Sequence, residues 1–259
     1  MNFRAGNKIT DYRNATRLQQ RNDISRDKIS ELFNRVAHRY DLLNRLLSAR
    51  RDVAWRKKLA KRLPSTSEMT VLDLATGTGD VILSALSNCD NISLVVGLDP
   101  AGEMLKLAQR KITIAGKSNE TSLVRADALS LPFSDYSFDV VTIAFGIRNV
   151  TDVSRAFNEI LRVLKPGGAV VVLEFSLPSC RFLRGIYLLY FRHILPRLGA
   201  FISGEANAYT YLNTSVEKFP YGREFCDLMT HSGFEQTKSE PLTFGVATLY
   251  TGIKPMESN

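Results

Sequence analysis

Val71-Leu72-Asp73-Leu74-Ala75-Thr76-Gly77-Thr78-Gly79-Asp80 is the stretch that decides the fold. An apolar run with the length of a buried strand enters a Gly-x-Gly turn and leaves it with helical periodicity. Gly77 and Gly79 carry no Cβ, so the backbone there can bend tightly and approach a ligand closely. A plain strand-to-helix turn has the same look, so the surroundings must decide. Asp99 ends the next apolar run, 20 residues after Gly79. A carboxylate at that point can accept hydrogen bonds from both hydroxyls of a ribose.

A ribose occurs in nicotinamide dinucleotides and in S-adenosylmethionine alike. Ile82 stands where the dinucleotide fingerprint places its third glycine. The turn carries no lysine or arginine for a phosphate. Asp73, inside the strand end, can meet a ligand's amino group indirectly, and Asp127-Ala128 follows the third strand, where a side chain can accept from the adenine amine. The expected cofactor is S-adenosylmethionine.

Outward from the turn the sequence alternates between periods 2 and 3.6. Strands are predicted at Met69–Ala75, Ile92–Leu98, Ser122–Arg125, Phe138–Phe145 and Ala169–Phe175. Helices are predicted at Asp80–Leu86, Gly102–Ala115 and Val153–Leu164. Such alternation means parallel strands joined by crossover helices. Helical stretches near 206–217 and 221–232 and two strands, Glu235–Glu240 and Ala247–Ile253, would complete a seven-stranded, mostly parallel α/β sheet with helices on both faces. Upstream, Ile29, Leu32, Phe33 and Val36 mark one amphipathic helix and Val53–Leu63 another.

Composition fits a folded globular chain: 259 residues, 44% hydrophobic and 23% charged. No apolar run reaches the roughly 18 residues of a membrane span. The N-terminus lacks the apolar core of a secretory signal, so a cytoplasmic protein is expected. Cys89, Cys180 and Cys226 lie far apart, as do the three histidines, so neither disulfides nor a metal site is expected. Residues 1–63 hold 17 Lys+Arg against 6 Asp+Glu, although the whole chain is only +8. A basic arm of this kind suits nucleic acid, an anionic membrane, or plain solvation. Residues 1–27 read as a flexible basic tail and 28–259 as one domain. That domain divides into a helical lid (about 28–63), a cofactor-binding core (about 68–178) and a helical insert (about 179–232).

Several segments together resemble the ubiquinone/menaquinone biosynthesis C-methyltransferases, a branch of the Rossmann-like class I methyltransferases. They are Tyr40-Asp41-Leu42-Leu43-Asn44, the glycine turn, Leu131-Pro132-Phe133, Phe145-Gly146-Ile147-Arg148-Asn149-Val150-Thr151-Asp152, Arg162-Val163-Leu164-Lys165-Pro166-Gly167-Gly168, Leu173-Glu174-Phe175-Ser176 and Leu242-Thr243-Phe244-Gly245-Val246-Ala247. The Lys-Pro-Gly-Gly turn is general to methyltransferases, whereas the segment from Phe145 to Asp152 is close to diagnostic for the branch. The resemblance implies C-methylation of a polyprenylated hydroquinone, either demethylmenaquinol or a ubiquinone precursor. It places Thr78, Asp99, Asp127 and Ala128 at the cofactor beside Gly77 and Gly79. The chain departs from the pattern at Ala144, where some members carry serine, and at Ser48–Trp55, where a glycine and a histidine are usual.

In such a reaction the ring carbon beside a phenolic hydroxyl attacks the methyl as that hydroxyl loses its proton. The enzyme must align the reactants and support phenolate character. Arg148 and Asn149, just past the fourth strand, are the candidate catalytic residues. A pairing of Arg148 with Asp152 and a helix-capping role for Asn149 are the plainer alternatives. Tyr40 and Asp41 are candidates on the substrate side, His38 is a candidate base, and Asp80 is placed at the cofactor's rim. Residues 181–202 mix Phe182, Ile186 and Leu189 with Arg181, Arg184 and Arg192. They read either as a buried helix or as an interfacial one that meets anionic lipid and admits a polyprenyl tail. The expected partner is the quinol, with no nucleic acid, because the Asn-Pro-Pro-aromatic loop of many amino-methylating relatives is missing after the fourth strand.

Overall fold

The structure, a computed structural model, describes residues 51–194 and 213–256. It also describes Glu31, Asn34, Arg35, Ala37, Asp41, Asn44, Arg45, Ser48, Arg50 and Arg197. The expected tail, Tyr40, His38 and most of 195–212 lie outside the described residues.

Seven strands form one sheet: β1 (Met69–Leu74), β2 (Ile92–Leu98), β3 (Thr121–Val124), β4 (Phe138–Ala144), β5 (Leu164–Phe175), β6 (Glu235–Leu242) and β7 (Ala247–Ile253). Their order is β3-β2-β1-β4-β5-β7-β6. β1 runs parallel to β2 and β4, and the same holds for β2 with β3 and β4 with β5. β7 enters antiparallel between β5 and β6. The described helices are α1 (Arg51–Ala60), α2 (Asp80–Asn88), α3 (Gly102–Ile114), α4 (Val153–Val163), α5 (Arg181–Leu189) and α6 (Arg223–His231).

Alternate residues of the central strands feed two separate cores. Val71, Val95, Val140 and Val171 pack with Leu59 of α1, Ile82 of α2 and Ile112 of α3. Leu72, Leu74, Val141, Ile143 and Val172 face the other way, onto Phe157 and Ile160 of α4 and Phe225 and Met229 of α6. A sheet buried on both faces explains why these strands read as near-continuous apolar runs.

The chain leaves β1 toward β2 and β3, then returns to the other side of β1 for β4. The carboxyl ends of β1 and β4 therefore flank a topological switch point, where open α/β sheets keep their ligand crevice. The predicted strands are found with shifted ends: β1 and β4 stop one residue earlier, and β6 runs on to Leu242. β3 starts one residue earlier, at Thr121. β5 pairs already at Leu164 with Phe138, and Lys165–Gly168 bulge out before Ala169 meets Val140. A Cβ on Gly168 would lie 2.8 Å from the Lys165 carbonyl and 3.0 Å from that of Asp139, so only glycine fits this bulge. Helix 206–217 is seen from residue 213. α5 buries none of its residues, which rules out the core-helix reading for Arg181–Leu189.

Phe157 is fully buried, its ring 5.9 Å from Phe225 and 5.5 Å from Phe234. Phe157→Ala is expected to lower unfolding free energy by about 3–5 kcal/mol. Urea titration would show a lower midpoint at unchanged slope, and an unchanged midpoint would contradict this account of the second core.

Candidate active site

At the switch point Ala75 (φ 50°) and Phe145 (φ 57°) are both held in left-handed backbone. Non-glycine residues pay about 1–3 kcal/mol for such conformations, which cluster at functional sites. Gly146 explains part of the constraint: a Cβ there would sit 2.5 Å from the Ala75 Cβ, so the ends of β1 and β4 touch. Below them the buried Asp73 carboxylate accepts from Thr76 Oγ1 at 2.6 Å and from Thr142 Oγ1 at 2.7 Å. Asp73 thus pins the glycine turn to β4 from inside the strand.

Asp99 ties the turn to its neighbour. Its Oδ2 accepts from the Gly77 N–H at 2.9 Å and its Oδ1 from the Ala101 N–H at 2.8 Å. Burial raises its pKa to about 6, against the pull of those two bonds. Each oxygen keeps a lone pair for a further donor.

A cleft of about 900 Å³, counting its open mouth, lies against these groups. Gly77, Asp99, Asp127, Ala128 and Asn149 are on its walls, with Ala75, Met104 and Phe145. Thr78 and Gly79 are not. Gly79 (φ 81°) precedes α2 and packs on Ala108, and the Thr78 hydroxyl donates to Asp41 at 2.6 Å. Asp127 also accepts from the Leu129 N–H.

The described residues of the N-terminal segment rest against α3 and the glycine turn. Ala37 packs on Ala101 and Met104, and Asn34 accepts from the Glu103 N–H at the start of α3. Lys111 of α3 donates to Asp41 at 2.8 Å, to Thr78 at 3.1 Å, and also to Asp80. Arg56 of α1 pairs with Asp52 and lies 3.6 Å from Asp80. Asp41 and Asp80 are therefore joined in one charged chain across the glycine turn. Lys111 and Arg56 were not singled out in the sequence, since only the fold brings positions 41, 56, 80 and 111 together.

Arg148 is buried and does not reach the cleft wall. Its guanidinium donates to Glu174 at 2.7 Å and to the Phe145 carbonyl at 2.5 Å, with Phe175's ring centroid 5.4 Å away. Its partner is thus Glu174 of β5, not Asp152, which caps α4 by accepting from the Arg155 N–H. Asn149 ends a short helical turn, Ile147–Asn149, and the cap of α4 is Asp152. Glu174 went unnoticed as a functional residue, although an acidic residue inside the run Val170–Phe175 was a visible signal.

A model of the ubiE/COQ5 methyltransferase family matches residues 21–254. The chain belongs to that family. Its class makes it an S-adenosylmethionine-dependent methyltransferase. A relative from Thermus thermophilus, named demethylmenaquinone methyltransferase, is 45% identical over 86% of this chain and 100% of its own. One from Geotalea daltonii, named ubiquinone/menaquinone biosynthesis C-methyltransferase UbiE, is 42% identical over 88% of this chain and 97% of its own. Among solved structures, a SAM-dependent methyltransferase from Thermotoga maritima superposes with a TM-score of 0.60 at 22% identity, covering 86% of this chain and 98% of its own, a likeness of fold.

Glu174→Ala strands a buried guanidinium, and is expected to cost about 3–5 kcal/mol. The double variant Arg148→Met/Glu174→Leu should recover most of that stability, because it removes both charges. Equal losses in the single and double variants, read by chemical denaturation, would argue against the pair.

Proposed function

We propose that this chain transfers the methyl group of S-adenosylmethionine to a ring carbon of a polyprenylated hydroquinone, with demethylmenaquinol as the acceptor and menaquinol as the product. The observation that carries this reading is the Asp99 carboxylate at the switch point, doubly anchored and with acceptor capacity to spare, in a chain whose relatives bear those names. The name of the Geotalea daltonii relative covers both quinones, which favours a ubiquinone precursor as a second acceptor.

Within this reading Asp99 holds the ribose, Gly77 lets the donor approach the backbone, and Asp127 with Ala128 flanks the adenine. Thr78 acts from behind the turn, where its bond to Asp41 joins the N-terminal segment to the cofactor loop. Gly79 sets the start of α2. When bound, S-adenosylmethionine supplies an electrophilic methyl on a sulfonium. The chain's part is alignment, bringing the acceptor carbon to about 3 Å in line with that methyl. Asn149, on the cleft wall, orients a ring hydroxyl or a water. Arg148 is a positioning residue, holding Phe145 and Phe175 while Glu174 balances its charge. Residues 28–63 serve as the lid, with Tyr40 on the substrate side and Asp41 holding the lid to Thr78 and Lys111.

Among the described residues no helix is long and apolar enough to cross a membrane. α5 exposes Phe182 (75%), Ile186 (53%) and Leu189 (61%) beside the exposed Arg181 and Arg184. We assign this face to peripheral contact with an anionic bilayer, where a polyprenyl tail resides.

Purified protein with S-adenosylmethionine and demethylmenaquinol in mixed micelles should yield menaquinol by mass spectrometry. No methylated quinol from either head group would overturn the proposal. Asp99→Ala is expected to weaken S-adenosylmethionine binding about a hundredfold, through the loss of two charge-assisted hydrogen bonds. Because burial puts the Asp99 pKa at about 6, its carboxylate is ionised at pH 7 and mostly protonated at pH 5. Protonation replaces an acceptor with a donor, so affinity should fall about tenfold between those pH values. Asp99→Asn should flatten that profile in calorimetric titrations, and a pH-independent wild type would contradict the assignment.

A further inference from the structure

A second cavity, about 490 Å³ counting its open mouth, shares Phe145 with the cofactor cleft. Among the described residues Phe145 alone lines both. Aromatic rings from three distant segments wall this cavity: Trp55 of α1, Phe175 of β5, and Tyr187 and Tyr190 at the end of α5. Phe145 lies 4.5 Å from Phe175 and 6.1 Å from Trp55, centroid to centroid. The indole of Trp55 donates to Thr243 at 2.8 Å, which fixes its ring plane.

Asn44, Ser48, Asp52 and Arg56 supply its polar lining, with the Arg56 guanidinium 5.6 Å from the Phe145 ring centroid. Ser48 donates to Asp52 at 2.6 Å. Burial pushes the Asp52 carboxyl up, yet the Ser48 hydroxyl and the charge and hydrogen bond of Arg56 bring it below the usual range. Asp52 is therefore an ionised hydrogen-bond acceptor at neutral pH. A pocket with flat apolar walls and hydrogen-bonding groups matches a planar ring that carries hydroxyls.

We propose that this second cavity seats the aromatic ring of the methyl acceptor, with Trp55, Phe175 and Tyr187 around the ring, the Ser48–Asp52 pair receiving a hydroxyl, and Phe145 as the partition between acceptor and donor. This rests on the proposed C-methylation and adds the place and the residues that hold the acceptor. The strained backbone at Phe145 suits a partition, since a ring can reach the methyl only once that side chain gives way. α5 then serves both sides: Tyr187, with Tyr190 just after the helix, on the cavity, and Phe182, Ile186 and Leu189 turned to the surface where a tail would run.

Trp55 is the only tryptophan in the chain, so its emission reports on this cavity alone. Menadione, a tail-less naphthoquinone, quenches indole emission on contact and is the probe. Titration of the wild type should give saturable quenching. Tyr187→Ala and the space-filling Val246→Phe should each weaken its half-saturation about tenfold. Tyr187→Phe should restore it. Unchanged S-adenosylmethionine binding by calorimetry shows that the cavity variants are folded. Linear, unsaturable quenching of the wild type, or saturable quenching indifferent to both cavity variants, would overturn the proposal. Methylation of demethylmenaquinol by the wild type separates the two readings. If it proceeds while quenching ignores the cavity variants, this cavity is the wrong seat and the C-methylation stands. If quenching behaves as expected while no quinol is methylated, the function is wrong and the aromatic site remains.

Discussion

One buried carboxylate organises the whole site. Asp99 receives the N–H of Gly77, from the turn after β1, and the N–H of Ala101, just before α3. The pairing of β1 with β2 and the Thr76 N–H, which donates to the Leu98 carbonyl, already bring these loops side by side, and Asp99 ties them again at their tips. Burying an ionisable group is unfavourable unless backbone donors meet it, and here each oxygen has one. Everything placed against those loops inherits their position. Ala37 rests on Ala101, Lys111 reaches from α3 back to the turn, and the cleft opens between them.

The central strands were legible because each is apolar on both faces, and the helices because their period differs. That contrast survives in any order of strands, so it conveys alternation but not neighbours. The antiparallel insertion of β7 has no local signature in Ala247–Ile253. The cofactor side was legible for a related reason: Gly77, Asp99 and Asp127 each close a strand or a turn, so sequence position predicts spatial position. Arg148 was not. Its partner Glu174 sits on the adjacent strand, 26 residues away in sequence, and only the pairing of β4 with β5 brings them together. The bond from the Thr78 hydroxyl to Asp41, 37 residues away in sequence, was equally out of reach.

The sheet is shared with structures at 22% identity or less, and it specifies where a ligand crevice lies but not what fills it. Specificity resides in what is laid across the carboxyl ends of the strands. α1 contributes Trp55 and Arg56, the turn after β4 contributes Phe145 and Asn149, α5 contributes Tyr187, and Tyr190 follows just after it. These additions leave the seven strands intact. They also carry most of the aromatic rings at the site, to which β5 adds Phe175.

β7 is the last strand in the chain, yet it lies between two others, bonded to β5 on one edge and β6 on the other. During synthesis β5 therefore emerges with an open edge that stays unpaired until residues 247–253 arrive. The donor half, built on β1, β2 and β4, depends on no residue that late. The Glu174–Phe175 end of β5 is clasped by Ala247 and Thr248 only at the close, so the two halves of the active site mature at different moments in the life of the nascent chain.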